Sequence, residues 1–301
     1  LIETPLYMRG IVDALMEQTF NMAFHASKGF GEVSNLPDRK VGFSSYDAGS
    51  DHDIFISINI PGVMLNQWPD QYYHTDLDDL DKVDVENIKR SAVAAGSTAY
   101  YIALGSKDAA LKILGLLTLH FCKLISNMFS EILVKSKDDP RWKRIACERY
   151  NIVSAAIKRN YEILGKIYPE IIDLTRTHLD KALAQLKAYY DIMDIKVEPV
   201  EMEDWELKIY TKDWIGPISL RRLSKILDEE TLLKIQRLVR EERIYRPILL
   251  YYLPNLIDGR RSVGEIIRAI EAEYGLIKVD VLKWFIDILE KHRLITTING
   301  S

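Results

Sequence analysis

Two polar stretches flank one apolar run in the first third of the chain. Residues 72–75 read YYHT and are followed by Asp78 and Asp79, while residues 49–52 read GSDH. Between them, residues 60–65 read IPGVML, an apolar run that is entered through a proline. A nearly all-apolar run of this length is typical of a strand that is covered on both faces. We therefore expect the two polar stretches to flank a buried strand.

The combination resembles the C-terminal part of the catalytic domain in two-zinc exopeptidases. That superfamily includes zinc aminopeptidases, glutamate carboxypeptidase and glutaminyl cyclase. In it, a Ser-Asp-His-x-x-Phe segment, matched here by residues 50–55, precedes an Ile-Pro-containing strand, and a Tyr-His-Thr segment supplies the last zinc-ligand histidine. The resemblance covers roughly residues 5–105. It implies a partial α/β peptidase domain and, in the intact protein, a zinc-dependent aminopeptidase with one or two zinc ions.

The Tyr-His-Thr segment carries the residues with the most direct roles in this resemblance. His74 would bind zinc, since imidazole is a good zinc ligand and neighbouring carboxylates can orient it. Tyr73 matches the position whose phenol hydrogen-bonds the tetrahedral intermediate, and loss of such a donor costs roughly 100–1,000-fold in rate. Tyr72 competes with Tyr73 for this role.

Other matching residues would support the site. Asp51 and His52 correspond to residues that mostly buttress the family's site rather than bind metal, and Asp53 has no corresponding role. Asp78 matches a family aspartate and would also be supporting. Asp79 stands where the family has a threonine, so the local hydrogen bonding departs from the family pattern.

The aspartates that continue from this segment to Asp84 form an acidic run. The run lacks the glycine and terminal glutamate of an EF-hand loop. We interpret it as a solvated loop and a helix N-terminus, where carboxylates interact favourably with the helix dipole.

Most residues of a two-zinc site have no counterpart in this chain. Such a site needs two histidines, a bridging aspartate, two further carboxylates and a glutamate base, and the resemblance places most of them upstream. His25 and Glu32 lack the sequence context of those ligands. We therefore expect the chain to be the C-terminal portion of a longer protein and to be inactive when isolated. In the intact enzyme, zinc-bound hydroxide would attack the carbonyl with an upstream glutamate as base.

Composition sets broad limits on partners. The 301 residues are 48% hydrophobic and 28% charged, which is typical of a soluble globular protein, and the formal net charge of −4 predicts no general attraction to nucleic acid or anionic membrane. The two cysteines, Cys122 and Cys147, form no disulfide framework. Residues 111–129 are the most apolar stretch, but charged and polar residues interrupt it, which favours a buried helix over a membrane span.

Periodicity predicts a mainly helical chain with a few strands. Gly29 and Gly31 end the first predicted helix, Asp84 caps the second with Gly105 just beyond its end, and Ser262 with Glu265 forms a capping box at a later one. The predicted helices span residues 6–27, 84–103, 108–135, 142–168, 170–194, 218–226, 229–239, 245–253, 262–274 and 278–292. The predicted strands span residues 41–46, 60–65 and 294–298.

This order predicts three units and a mixed, predominantly α fold. Residues 1–106 would be the partial α/β peptidase domain, residues 107–195 a helical bundle or hairpin, and residues 196–301 a winged-helix-like domain. From residue 201 to the end there are 17 Lys plus Arg and 17 Asp plus Glu. A DNA-binding face needs a basic excess, so scaffolding or dimerisation is favoured for this unit.

Two further functions remain open. The chain could be a non-catalytic interaction or regulatory module, with a winged helix on a degenerate peptidase fold. It could also belong to an acyltransferase like glutaminyl cyclase, although the tyrosine before His74 leans toward a peptidase. The expected partners are a peptide substrate and a second copy bound through the helical or winged-helix parts, with no nucleic acid and no membrane span. The sequence leaves the compartment open, with the cytoplasm slightly favoured.

Overall fold

The chain folds into a mainly helical structure. The computed structural model describes residues 1–25, 41–139, 141–197 and 201–298, of which 65% are helical and 4% are in strands. The predominantly α part of the predicted fold class is therefore confirmed. The α-helices are α1 (Ile11–His25), α2 (His52–Ser57), α3 (Val85–Ala103), α4 (Lys107–Asp138), α5 (Trp142–Ile167), α6 (Ile172–Ile192), α7 (Leu220–Leu223), α8 (Glu229–Glu241), α9 (Tyr245–Pro247), α10 (Leu253–Leu256), α11 (Val263–Tyr274) and α12 (Val279–Lys291).

Local capping signals account for several helix ends. The Asp84 side chain accepts hydrogen bonds from the amides of Glu86 and Asn87, at 2.9 and 3.1 Å, and so begins α3. Ser262 and Glu265 form the predicted capping box at the start of α11. Each such cap is worth about 1 kcal/mol of stability. These two predictions of helix caps are confirmed. Gly29 and Gly31, which were predicted to end the first helix, lie outside the described residues, and so does Glu32.

The two strands predicted in the first third of the chain do not form. Residues 41–46 and 60–65 each make only an isolated bridge, through Ser44 and Met64, to Ile2 between them. The Ile2 amide donates to the Met64 carbonyl at 2.8 Å, and the Ser44 amide donates to the Leu1 carbonyl at 3.0 Å. A strand requires a partner that pairs along its whole length. Within the described residues, the only partner of these two segments is the short stretch around Ile2, which lies between them. The prediction that residues 60–65 are buried on both faces is also wrong, since Ile60 is 47% exposed.

The C-terminal part contains the one strand pair among the described residues. Strand β1 (Tyr210–Lys212) pairs antiparallel with β2 (Ile295–Thr297), with Tyr210 opposite Thr297. The predicted helix over residues 218–226 shortens to α7, while the one over 245–253 extends through α9, a π-helical turn at Ile248–Tyr252 and α10. The strand predicted over residues 294–298 is confirmed.

Within the described residues, three apolar clusters stabilise the fold. The largest joins the C-terminal elements to Tyr7, Tyr46 and Ile56 from the first part of the chain. The second lies among α1, α4, α5 and α6, and the third packs α1 against α3 around Phe20 and Ala94. The first part of the chain thus contributes to all three clusters. The domain boundaries given above stay predictions.

Helix α4 is long and contains an extended apolar window. By length and composition alone, Lys107–Lys137 could cross a membrane, and 44% of its most apolar window is buried in the protein. The buried residues include Ile113, Leu117, Phe121 and Ile125, which pack in the cluster shared with α1, α5 and α6. Packing within the protein therefore accounts for the buried face of this helix, while other apolar residues of α4, such as Leu119 and Val134, are exposed.

Distant side chains fix the backbone of residues 6–11. The buried carboxylate of Glu273 accepts hydrogen bonds from the Leu6 amide at 2.6 Å and from the Tyr252 hydroxyl at 3.1 Å. Asn160 on α5 accepts from the Ile11 amide at 3.0 Å and donates to the Arg9 carbonyl at 2.9 Å. These bonds connect the first part of the chain to both α5 and α11.

The Asn160 contact leaves no room for a side chain at Gly10. A Cβ atom there would lie 1.9 Å from Asn160 Oδ1, whereas a Cβ at Gly115, on the exposed side of α4, would meet nothing within 4 Å. We expect Gly10→Ala to lower the free energy of unfolding by about 1–3 kcal/mol through overpacking. Gly115→Ala should raise it by about 0.5–1 kcal/mol through helix propensity. Urea unfolding of both variants measures this, and equal effects would contradict the close Asn160 contact.

A second prediction concerns acid stability at the α1–α4 contact. Glu17 accepts a hydrogen bond from Lys123 Nζ at 2.6 Å and lies 3.2 Å from His120 Nδ1. The bond with His120, aided by Lys123, lowers the pKa of Glu17 from 4.5 to about 2. Because the folded-state pKa is depressed, this stabilisation is present above about pH 4.5 and is lost as the pH falls toward 2.

We expect Glu17→Gln to lower the free energy of unfolding by about 1–2 kcal/mol at pH 7, after allowance for solvent screening. The difference from wild type should shrink between pH 4.5 and pH 2, where the wild-type carboxylate also becomes neutral. Urea titrations across this range provide the measurement, with the exposed Glu162→Gln as control. A difference that does not change with pH would refute the assigned role of Glu17.

Candidate functional site

The His74 segment is an exposed turn with an unusual backbone. The Thr75 amide and hydroxyl both donate to the Tyr72 carbonyl, at 2.9 and 2.6 Å. His74 has φ +59°, in the left-handed region that non-glycine residues seldom adopt. Such a conformation costs on the order of 1 kcal/mol and often marks a site where geometry matters. The turn thus holds the imidazole in a defined position on the surface.

The aromatic rings around His74 differ in their surroundings. The Tyr73 ring stacks on the imidazole with centroids 3.8 Å apart and meets Trp68 edge-on at 5.7 Å. Tyr73 is 52% exposed, so its phenol is open to solvent. Tyr72 is partly covered, with Lys82 Nζ 5.1 Å from the ring centroid. Of the two tyrosines, Tyr73 is therefore the one that contacts His74 and can reach a bound molecule.

The GSDH stretch forms a second, largely buried part. His52 is buried at the start of α2, and its Nε2 lies 2.9 Å from the Asp47 carbonyl oxygen. Its Nδ1 is buried without a hydrogen-bond partner among the described residues. Asp51 precedes it, is exposed, and makes no side-chain cap bond. The imidazole of His52 is thus directed into the protein, whereas that of His74 faces solvent.

Asp53, to which the resemblance assigns no role, is the anchored carboxylate of this stretch. It is 1% exposed, accepts a short hydrogen bond from the Tyr46 hydroxyl, and accepts another from the Gly49 amide at 2.6 Å. Burial, together with the nearby Asp53 carboxylate, raises the pKa of Tyr46 far above its ordinary value. The only sequence signal for Asp53 is its place in the first turn of α2, where a carboxylate meets free amides.

The C-terminal elements hold this stretch in place. The Tyr46 ring lies between His52 and Tyr252, with centroid distances of 5.8 and 5.5 Å. The Gly216 amide donates to the Ser57 hydroxyl at the end of α2, at 3.0 Å. Helix α2 also packs against α10. The geometry around His52 therefore depends on residues that lie in the last third of the chain.

The acidic run is mostly used for local capping. Asp79 accepts from the Leu80 amide at 2.7 Å, Asp81 pairs with Lys82, and Asp84 caps α3 as described. The backbone amide of Asp78 donates to the Thr75 carbonyl at 3.3 Å, and its side chain is exposed. This arrangement agrees with a solvated loop that leads into a helix.

The resemblance implies zinc, so the ligand set has to be tested against the structure. Within residues 1–25, 41–139, 141–197 and 201–298, no three His, Cys, Asp or Glu side chains come close enough together to hold a metal ion. His74 is exposed and stacked on Tyr73, while His52 Nε2 faces a backbone carbonyl. The described residues therefore do not fit a complete zinc centre.

Comparison with known proteins supports the peptidase resemblance. Residues 8–99 match the family model of peptidase family M28, a family of metallopeptidases that are typically zinc-dependent. The match spans just under a third of the chain and includes both polar stretches. It supports a zinc-exopeptidase-like peptidase domain in this part of the chain and a hydrolase function. Searches of curated proteins and of solved structures found no match.

The environment of Asp53 leads to a third prediction. Asp53→Asn replaces a charge-assisted acceptor and turns an amide group toward the Gly49 amide, so we expect the free energy of unfolding to fall by about 1–3 kcal/mol. Asp51→Asn, at the exposed neighbour, should change it by less than about 0.5 kcal/mol. Chemical unfolding at pH 7 compares the pair, and similar effects at both positions would show that Asp53 does not anchor the loop.

Proposed function

We propose that this chain is part of a zinc-dependent aminopeptidase, which hydrolyses the peptide bond at the N-terminus of its substrate. The observation that carries the proposal is the match of residues 8–99 to peptidase family M28, a stretch that contains the His74 turn. The left-handed backbone of His74 and its stacking on Tyr73 support a functional role for this turn.

Each side chain has a distinct part in the proposal. His74 contributes one ligand of the metal site. Tyr73 donates a hydrogen bond from its exposed phenol to the oxygen that becomes negatively charged in the reaction. Asp51, His52 and Asp78 support the site, and Asp53 joins them because it anchors the loop before α2 through Tyr46 and Gly49.

The remaining ligands and the general base would come from outside the described residues, because those residues do not gather three ligands. In this proposal the chain is the C-terminal portion of the enzyme. Residues 1–106 belong to an α/β peptidase domain, and residues 107–195 and 196–301 form a helical unit and a winged-helix-like unit. These two units cap the site, restrict substrate length or bind a second copy.

A second candidate is a non-catalytic interaction or regulatory module. The lack of three grouped ligands among the described residues favours it. Activity and metal content distinguish it from the enzyme, since a module of this kind would bind no stoichiometric zinc. A cyclase-like acyltransferase is a third candidate, and an assay with an N-terminal glutamine peptide separates it from the aminopeptidase.

The test uses the product of the full reading frame. We expect it to bind zinc and to hydrolyse aminoacyl substrates, and His74→Ala to lose both zinc and activity. Tyr73→Phe should keep the zinc and lower kcat by roughly 100–1,000-fold, because it removes a donor that acts only in the transition state. Zinc is measured by plasma mass spectrometry, and kcat by release of a fluorescent amine.

The matched control is His292→Ala, a half-buried histidine in the C-terminal part. It should retain zinc and activity, and circular dichroism should show that all variants stay folded. A His74→Ala protein that is folded and fully active would refute the assignment. Wild-type protein without zinc or hydrolytic activity would favour the non-catalytic module.

A further inference from the structure

The C-terminal part of the chain contains a cleft formed by residues that the proposed reaction does not use. The cleft has a volume of about 580 Å³ and lies between residues 217–220, the second half of α8, and residues 246–251. The Ile218 amide donates to the Leu250 carbonyl at 2.8 Å and so joins two of its walls. Pockets that bind small organic ligands have volumes of roughly 300–1,000 Å³. The cleft is therefore large enough to hold such a ligand.

The buried side chains that line the cleft are aliphatic. Ile218, Val239 and Leu250 are 1%, 9% and 4% exposed, and all three belong to the largest apolar cluster. Packing in that cluster holds them in place whether or not a ligand is bound. An apolar group that contacts them leaves water, which is favourable in proportion to the area covered. The deep part of the cleft therefore fits an aliphatic group.

Two arginines that line the same cleft have no partner. Arg240, in the last turn of α8, and Arg246, in α9, are both exposed. Neither guanidinium forms a hydrogen bond or an ion pair with another described residue. No Asp or Glu is among the described residues that line the cleft. Since guanidinium groups bind carboxylates through paired hydrogen bonds, the cleft is complementary in charge to a carboxylate.

Uncharged polar side chains complete the lining. The side chains of Gln236 and Tyr251 make no hydrogen bond to another described residue. The Ser219 hydroxyl accepts from the Arg222 amide at 3.1 Å, which leaves its own hydrogen free to donate. Amide, phenol and hydroxyl groups can pair with the N–H and C=O of a peptide group. The lining thus combines partners for an anionic, an aliphatic and a peptide group.

The backbone of one wall is irregular. Leu250 and Tyr251 lie in the π-helical turn Ile248–Tyr252, which follows Arg246 after a single residue. Turns of this kind are rare and occur frequently at functional sites. One short irregular segment therefore supplies a cation, an aliphatic side chain and a phenol to the same cleft. This backbone feature is an indication of a ligand site that is independent of the charges.

We propose that this cleft binds the carboxyl-terminal end of a short peptide whose last side chain is aliphatic. The terminal carboxylate pairs with the two arginines, the last side chain lies against the buried aliphatic residues, and the last peptide group pairs with the uncharged polar side chains. This assignment goes beyond the proposed function and does not depend on it. A peptide that is acetylated at its N-terminus still carries all three groups, although an aminopeptidase cannot hydrolyse it.

Calorimetric titration of the protein with N-acetyl-alanyl-leucine tests the ligand class. We expect saturable binding of one peptide per chain. The same peptide with a C-terminal amide should bind at least about tenfold more weakly, because it loses the charge-assisted hydrogen bonds. Octanoate, which lacks the peptide group, should bind at least about threefold more weakly.

The outcomes of this titration decide the assignment. Absence of saturable binding by the free acid overturns it, and so does equal binding of the acid and the amide. Octanoate that binds as tightly as the peptide would show that the cleft takes apolar organic acids in general, which overturns the peptide assignment. Binding of the acid by protein that contains no zinc and hydrolyses nothing supports the cleft and refutes the enzyme.

Substitutions of the two arginines locate the binding. Arg240→Gln and Arg246→Gln should each raise the Kd of the free acid at least about tenfold, since each removes a charged donor. The matched control is Arg237→Gln, at an exposed arginine of α8 that does not line the cleft, and it should change the Kd by less than about threefold. All three positions are exposed, so melting temperatures should stay unchanged. Equal weakening by all three variants would indicate a general attraction to positive charge and would overturn the site.

Discussion

The buried carboxylate of Glu273 holds the first part of the chain against the last. It accepts hydrogen bonds from the Leu6 amide at 2.6 Å and from the Tyr252 hydroxyl at 3.1 Å. Burial raises the pKa of Glu273 above its ordinary value, although the positive charge of Arg9 acts in the opposite direction. A partly buried acceptor of this kind is costly to leave unpaired. The register of residues 6–11 is therefore set by α11, and Asn160 on α5 fixes the same segment from another side.

The candidate site depends on this junction. Tyr252 donates a hydrogen bond to Glu273 and packs against Tyr46. Tyr46 in turn donates to Asp53, which follows His52 in the first turn of α2. A chain of hydrogen bonds and one contact between aromatic rings thus leads from α11 to the GSDH stretch. The C-terminal part consequently acts as a support for the peptidase-like part, whichever reaction that part performs.

Local signals in the sequence predicted the helices well, and long-range features less so. The caps at Asp84 and at Ser262 with Glu265 involve residues only two or three positions apart, so the sequence alone indicates them. Two strands were predicted wrongly because an apolar run specifies a strand only if a neighbour pairs along its length. Asp53 was missed because its main donor, Tyr46, is positioned by Tyr252 and other residues far along the chain. The left-handed backbone of His74 has only a weak signal in its residue type, since histidine is among the non-glycine residues that adopt this conformation more often than most.

The two halves of the candidate site are stabilised in different ways. The His52 half is buried and is held by contacts with Tyr252, Gly216 and α10. The His74 half is a turn that short-range hydrogen bonds close, inside a stretch that buries no side chain. Regions with few buried contacts open at low free-energy cost. A strained histidine backbone persists only when its surroundings determine it fully, and the local bonds supply only part of that determination. The His74 half is therefore held less firmly than the His52 half.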